Sequence, residues 1–330
     1  MRTWPRSDAS ATSGGTVSVS SPAQPLVSPP STPAVLPVGG VGAPGAHRGW
    51  LITSLVTLYL IWGSTYLAIR FGLEGGLPPF LMSGSRFMLA GSVLFAVLWL
   101  RGAPVPTARQ WASSAVVGFL LLGIGNGGLV YAQQWVPSGV AALVVGSLPM
   151  WTALFGGLFG QWPGRAERWG LALGFGGIVV LNLGGNLGGH WLPTVAMLLS
   201  PLSWAFGSIW SRRLPMPQGL MSTAAQMLCG GALMYAFGLA TGEHLPTTMP
   251  GARAIFAYFY LVTFGSLVGY SAYGYLLRNA RPSLATSYAY VNPVVAVFLG
   301  GVLAGETMKP TAWVAMGAIL GAVVLLTRKR

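Results

Sequence analysis

The stretch SYAYVNPVVAVFLGGVLAGE (residues 287–306) repeats in outline LVVGSLPMWTALFGGLFGQW (residues 143–162), 144 residues earlier. Sliding the chain against itself by that step aligns 131–181 with 275–325 without a gap. Tyr131 then meets Tyr275, Ala141 meets Ala285, Pro149 meets Pro293, Gly156 and Gly157 meet Gly300 and Gly301, Trp169 meets Trp313, and Gly177 meets Gly321. In a chain this rich in glycine and small apolar residues many matches arise by composition, so the proline and tryptophan pairs carry the weight. Trp62, Gly63 and Ser64 echo Trp204, Gly207 and Ser208 more loosely. One unit has been written twice.

Composition states what kind of unit it is. With 53% hydrophobic and 7% charged residues and a mean hydropathy of +0.63, the chain does not describe a water-soluble globule. Ten apolar stretches, most of about 20 residues, the length a helix needs to cross a bilayer, are read at 50–69, 79–100, 110–134, 137–160, 168–187, 193–212, 218–240, 252–277, 282–304 and 310–327. The short alternating segments of a transmembrane barrel are missing. The predicted fold is therefore an all-α integral membrane protein. Five helices per copy is an odd number, so the second copy must enter the bilayer from the opposite side, giving two inverted five-helix repeats around a central cavity.

Charge placement predicts the orientation. The net charge of +13 is spread over helix ends rather than gathered on one face, which speaks against nucleic acid as a partner. With a cytoplasmic N-terminus the inner side receives Arg48, Arg101, Arg109, Arg165, Arg168, Arg212, Arg213, Arg278, Arg281, Arg328, Lys329 and Arg330. The outer side receives Arg70, Arg253 and Lys309, together with Glu74, Glu243 and Glu306. This bias places both termini in the cytoplasm of a plasma (inner) membrane, and the excess of arginine over lysine suggests a bacterial source. Residues 1–46, rich in Pro, Ser, Ala, Thr and Gly, read as a disordered cytoplasmic tail rather than a signal peptide. Residues 47–187 and 188–330 are the two repeats. Cys229 stands alone and reads as a packing residue.

Polar and aromatic residues at mid-span are the candidate substrate contacts. Pro149 and Pro293 each remove a backbone donor and free the carbonyl four residues earlier, at Val145 and Ala289, so both helices are predicted to kink beside a wet cavity. Most tryptophans sit at helix ends, as interfacial residues do, whereas Trp62, Trp151 and Trp204 lie deep. An indole N–H at that depth needs a partner or a cavity. Asn126 and Asn292 are mid-span amides that lipid cannot satisfy. Ser64, Tyr66, Tyr131, Gln133, Ser147, Ser208, Tyr270, Tyr273 and Tyr288 complete the predicted wall; for each, hydrogen bonding between helices is the alternative. Arg86 is the one cation well inside a span. It either receives a substrate carboxylate or serves structurally, by snorkelling or by holding a carbonyl of a kinked neighbour, and the structural role is the favoured reading.

These features together resemble the drug/metabolite transporter superfamily, and within it the bacterial EamA-type exporters. The resemblance rests on IWGS (61–64), SRFMLAG (85–91), Tyr131 with Ala141 and Pro149, and NPVVAVFLGGVLAGE (292–306), and covers residues 50–327. It implies ten helices, a central cavity and outward movement of small metabolites, amino acids or drugs by alternating access. An acid matching Glu306 at the end of the fourth span is absent, since Gln161 and Trp162 stand there and Glu167 is displaced.

No P-loop, metal-ligand cluster or nucleophile–histidine pair is found, so neither ATP hydrolysis, a cofactor nor an enzymatic reaction is expected. Glu306 and Glu74 are the candidates for proton coupling, and passive or weakly proton-linked exchange is the expected energetics. A channel-like facilitator or an importer of another polar solute is the alternative within the same fold. The expected partners are a small-molecule substrate and the lipid bilayer; the oligomeric state is left open, and a monomer suffices.

Overall fold

The computed structural model describes residues 44–136, 138–181 and 191–304, with positions 314, 317, 318, 321, 322 and 325. Residues 1–43 of the predicted tail, Glu306, most of the predicted tenth span and the boundary between the repeats lie outside the described residues. The α-helices are α1 Pro44–Glu74, α2 Pro79–Leu100, α3 Ala108–Gly118, α4 Gly127–Ala132, α5 Ser138–Val145, α6 Leu148–Leu158, α7 Arg165–Leu181, α8 Trp191–Ser211, α9 Gly219–Ala240, α10 Ala252–Tyr260, α11 Gly269–Asn279, α12 Pro282–Ala285 and α13 Tyr288–Ala304, joined by turns and short extended links. A π-helical stretch, π1 (Phe119–Asn126), joins α3 to α4, and another, π2 (Leu261–Val268), joins α10 to α11. No strand occurs among the described residues.

Among the described residues six rods are long and apolar enough to cross a membrane: Arg48–Glu74, Pro79–Leu100, Ala108–Ala132, Trp191–Ser211, Gly219–Ala240 and Ala252–Asn279. The predicted fourth and ninth spans are each broken into two pieces, and the breaks are not equivalent. In the fourth span α5 ends at Val145 and Pro149 sits in the first turn of α6, where its missing N–H costs nothing. In the ninth the helix runs unbroken through Pro293, and the interruption falls earlier, at Thr286 and Ser287, whose hydroxyls turn back onto the carbonyls of Pro282 and Leu284 at 2.9 and 2.8 Å. The interruption of the ninth span thus lies six to seven residues before Pro293, where the same two carbonyls also accept from the backbone amides of Thr286 and Ser287.

Helix ends follow from local chemistry. Thr107 and Gln110 form a reciprocal capping box at the start of α3. Helix α2 opens with Pro79, so the orphan donors of its first turn are Phe80 and Leu81; the carboxylate of Glu243 accepts from both, at 2.8–3.1 Å, from 162 residues away in the chain. Gly242, at φ 84°, turns the end of α9 so that Glu243 reaches that position. A negative charge on a helix N-terminus with two amide donors is worth on the order of 1 kcal/mol.

Glycine sets how the rods approach. α2 and α9 form the most extensive helix pair, and they touch backbone to backbone: a Cβ on Gly84 would lie 2.6 Å from the amide nitrogen of Tyr235, and one on Gly231 would lie 2.8 Å from that of Met88. The same holds where α3 crosses α9, since a Cβ on Gly118 would meet the carbonyl of Gln226 at 2.7 Å. Lipid supplies no hydrophobic drive between helices, so close packing of small residues is what binds them. The remaining contacts pair off across the chain: α1 packs on α10, π2, α11 and α13, while α8 packs on π1, α4 and α6.

Gly231→Leu is expected to abolish folded protein or to lower stability by about 3 kcal/mol or more, because the colliding atoms belong to a backbone that cannot move aside. Gly176→Leu, at an exposed site with nothing within 4 Å, is expected to be neutral. Thermal unfolding and gel filtration in detergent compare the two.

Candidate functional site

The site is built where the first rod of each half crosses the third rod of the other. Trp62 of α1 donates its indole N–H to the carbonyl of Gly265 in π2, at 2.9 Å. On α8, Ser200 donates to the carbonyl of Gly125 at 2.5 Å and Ser203 to that of Leu120 at 2.8 Å, both in π1. A π-helical turn loosens the regular backbone ladder, and each side-chain donor meets a carbonyl in such a turn. Glycine admits the large rings: a Cβ on Gly269 would collide with the Trp62 indole, and one on Gly125 would lie 2.9 Å from the ring of Trp204. Gly125 and Gly269 are themselves 144 residues apart.

Between these crossings lies a cavity of about 60 Å³, room for a few water molecules. Of the predicted wall, Trp62, Tyr66, Arg86, Asn126, Trp204, Tyr270, Tyr288 and Asn292 line it. Arg86 is 3% exposed, and one of its terminal nitrogens donates to Asn126 Oδ1 at 2.8 Å. Its guanidinium carbon lies 4.6 Å from the centre of the Phe87 ring. Among the described residues the ion pairs are Arg70–Glu74 and Arg281–Glu167, so no carboxylate faces Arg86. Three buried groups of this wall have no hydrogen-bond partner: Arg86 Nε, Trp204 Nε1 and Asn292 Oδ1. Two are donors and one is an acceptor, and leaving such groups unmade costs about 1–3 kcal/mol each.

A layer of aromatic rings closes the cavity on one side. Trp62 stands edge to face against Tyr288 at 4.7 Å and against Trp204 at 5.6 Å, and Tyr273 packs on both tryptophans at 5.4 and 5.6 Å. Beyond the layer, at the face carrying Arg212, Arg213, Arg278 and Arg281, is a second pocket of about 280 Å³. Tyr270 lines both spaces. At the opposite face, which carries Glu74 and Glu243, two open grooves of about 740 and 510 Å³ share Leu73, Gln134 and Trp135.

The other candidates fall outside the central cavity. Ser64 pairs with the Tyr260 hydroxyl at 2.6 Å, and Ser208 with that of Tyr273 at 2.5 Å, so both join helices. Tyr131 stacks on Phe80 in the larger groove, and Gln133 lines the smaller one. Ser147 accepts from the indole of Trp151 at 3.2 Å within the broken fourth span. Tyr273 belongs to the second pocket, and Glu74 is held by Arg70 at 2.7 Å in an exposed pair. Pro149 and Pro293 do not line the cavity, although Val145, whose carbonyl Pro149 frees, does. Sequence reasoning missed Ser200, Pro201, Gly125 and Gly265; the available signal was the glycine pattern GIGNGG (123–128) and GSLVG (265–269), which marks two places of close approach.

The two repeat-related tryptophans are expected to respond differently. Trp62→Phe keeps a ring but deletes the bond to Gly265, and should cost about 1 kcal/mol of stability. Trp204→Phe deletes an N–H that has no protein partner, and should leave thermal stability unchanged while weakening solute binding. Unfolding curves and transport rates on both variants check this.

Comparison with known proteins agrees with this architecture. The profile of the EamA-like transporter family matches the chain twice, at residues 49–183 and 191–328. The inner membrane transporter YedA of Escherichia coli is 46% identical over 278 residues, 84% of this chain and 90% of its own. A probable amino-acid metabolite efflux pump of Salmonella typhimurium is 25% identical, covering 79% of this chain and 88% of its own. A probable terminal-alkyne amino-acid exporter of Streptantibioticus cattleyicolor is 24% identical, covering 84% and 93%. A solved crystal structure superimposes with a TM-score of 0.68 at 22% identity, covering 86% of this chain and 97% of that one, and so shares the fold. Matched in both halves and 46% identical to a full-length relative, the chain belongs to the EamA-like transporter family.

Proposed function

We propose that this membrane transporter carries small amphiphilic metabolites bearing a carboxylate, amino acids or compounds like them, outward across a bacterial inner membrane by alternating access. The reading rests on one observation above others. Arg86 is buried at the central cavity beside Asn126, with no acid among the described residues to neutralise it, while Trp204 and Asn292 offer an unused donor and acceptor in the same wall. A buried, uncompensated charge costs several kcal/mol, and a protein whose only task was to fold would not keep it. A substrate carboxylate on the guanidinium, an acceptor for the indole N–H and a donor for the Asn292 carbonyl would satisfy all three. The sequence reading favoured a structural Arg86; its geometry shifts our reading to substrate binding. Support from relatives is that two bear names describing amino-acid export.

Ten spans form two inverted repeats, 47–187 and 188–330, with both termini cytoplasmic and residues 1–46 as a tail. The arginine-bearing face is then cytoplasmic and the glutamate-bearing face is external. Alternating access opens the cavity to each face in turn, and the aromatic layer forms the inner barrier. Exchange is passive or weakly proton-linked, with Glu306 and Glu74 as the candidate carriers.

In liposomes loaded with amino acids identified by profiling the medium of overproducing cells, Arg86→Ala should abolish efflux, and Arg86→Lys should reduce it at least tenfold, because a point charge does not replace a bidentate fork. Both variants should retain the thermal stability of the parent; loss of folded protein alongside loss of flux would return Arg86 to a structural role. Efflux should persist without a pH gradient and change little in Glu306→Gln. Strict dependence on the gradient, abolished by that substitution, would establish proton coupling instead.

A further inference from the structure

The central pair Arg86–Asn126 has a counterpart in the second half of the chain. Arg86 is the eighth residue of the 22-residue helix α2, and Gln226 is the eighth residue of the 22-residue helix α9. Asn126 and Tyr270 lie 144 residues apart, on the rods that carry π1 and π2. As Arg86 donates to Asn126, so Tyr270 donates to Gln226, at 2.9 Å, and Gln226 donates in turn to Ser222 at 2.9 Å. One pair is charged and lines the cavity. The other is neutral and stands at its edge, because Tyr270 borders the central cavity on one side and the 280 Å³ pocket on the other, while Gln226 borders only the latter.

That outer pocket carries the charge its polar pair lacks. Arg212 and Arg278 both line it, with Thr223 and Ser222, and no acid is among its lining residues. Arg212 spends one nitrogen on the carbonyl of Ala280, at 2.8 Å. Two like charges around one hollow, with hydroxyls and no carboxylate between them, leave a field that an anion relieves. Leu277, Met216 and Tyr273 give the pocket an apolar flank suited to an organic anion.

We propose that this pocket is a second binding site for carboxylates, in series with the cavity at Arg86, and that Tyr270, tethered by Gln226, is the side chain a solute passes in moving between the two. The proposal rests on the transporter reading but not on Arg86 being the only station. An anionic lipid headgroup presents similar chemistry, and the test separates the two sources.

The probe is sodium benzoate, a rigid carboxylate with an apolar face, added to the purified full-length protein in neutral detergent while thermal stability is followed, with benzyl alcohol as the uncharged control. Benzoate should stabilise the parent and, with similar half-saturation, Arg86→Ala. Combining Arg86→Ala with Arg278→Gln should weaken that residual effect about tenfold or more, as expected on losing a charged hydrogen bond. Arg278→Lys in place of Gln keeps the charge without the fork and should restore part of it, and since Arg278 holds no protein group among the described residues, its substitution should not disturb folding. The proposal is overturned if Arg86→Ala alone removes all benzoate stabilisation, if adding Arg278→Gln to Arg86→Ala leaves the residual stabilisation unchanged, or if phosphatidylglycerol in mixed micelles stabilises through Arg278 and benzoate does not. Those outcomes leave flux by the parent protein untouched, whereas failure of the transporter reading would show as absence of flux in the parent itself.

Discussion

Each half of this protein presses a tryptophan onto a glycine of the other half, and the cavity exists because of those two crossings. Trp62 lies over Gly269 and bonds to Gly265, while Trp204 lies over Gly125 one residue from Asn126. A ring of this size can approach a neighbouring rod so closely only where no Cβ intervenes. The π-helical turns at both places present carbonyls toward α1 and α8, which answer with an indole and two hydroxyls. Removing any part of this arrangement would open or fill the space in which Arg86 and Asn126 meet. The glycine seam between α2 and α9 holds the crossings at fixed separation, since it too is backbone against backbone.

Against that rigid frame the polar inventory of the cavity is unbalanced. Three buried groups are unpaired in its wall, and one charge has an amide for company but no counter-ion. Elsewhere the chain is economical with charge: Glu243 satisfies two amides at the start of α2, and Glu167 accepts from Arg281, Ser283 and the amide of Gly164. The contrast is informative because both acids sit at the ends of helices, where water is near, whereas the unmatched guanidinium sits where water is scarce.

Duplication has not produced two identical halves. The repeat-related prolines differ in their local role, Pro149 opening a helix and Pro293 lying within one. The repeat-related polar pairs differ in charge. Arg86 of α2 is a cation on Asn126, whereas Gln226, at the same place in α9, is a neutral amide on Tyr270.

Sequence alone determined the class, the duplication and the depth of the informative residues. Composition, span length and the 144-residue step are properties of the chain taken in order, and they survive any folding. Which way each residue points was decided only by the tertiary structure. Ser64, Tyr131, Gln133, Ser147, Trp151 and Ser208 looked as suited to the cavity as Trp62 or Asn292, yet Ser64 and Ser208 bond to neighbouring helices, Tyr131 and Gln133 line the open grooves, and Ser147 and Trp151 bond to each other within the fourth span. In water a helix shows its buried side as an apolar stripe. Here lipid and protein interior are equally apolar, so the stripe is faint, and rotation about the helix axis is set by glycine seams, π-turns and single hydrogen bonds between residues far apart in the chain.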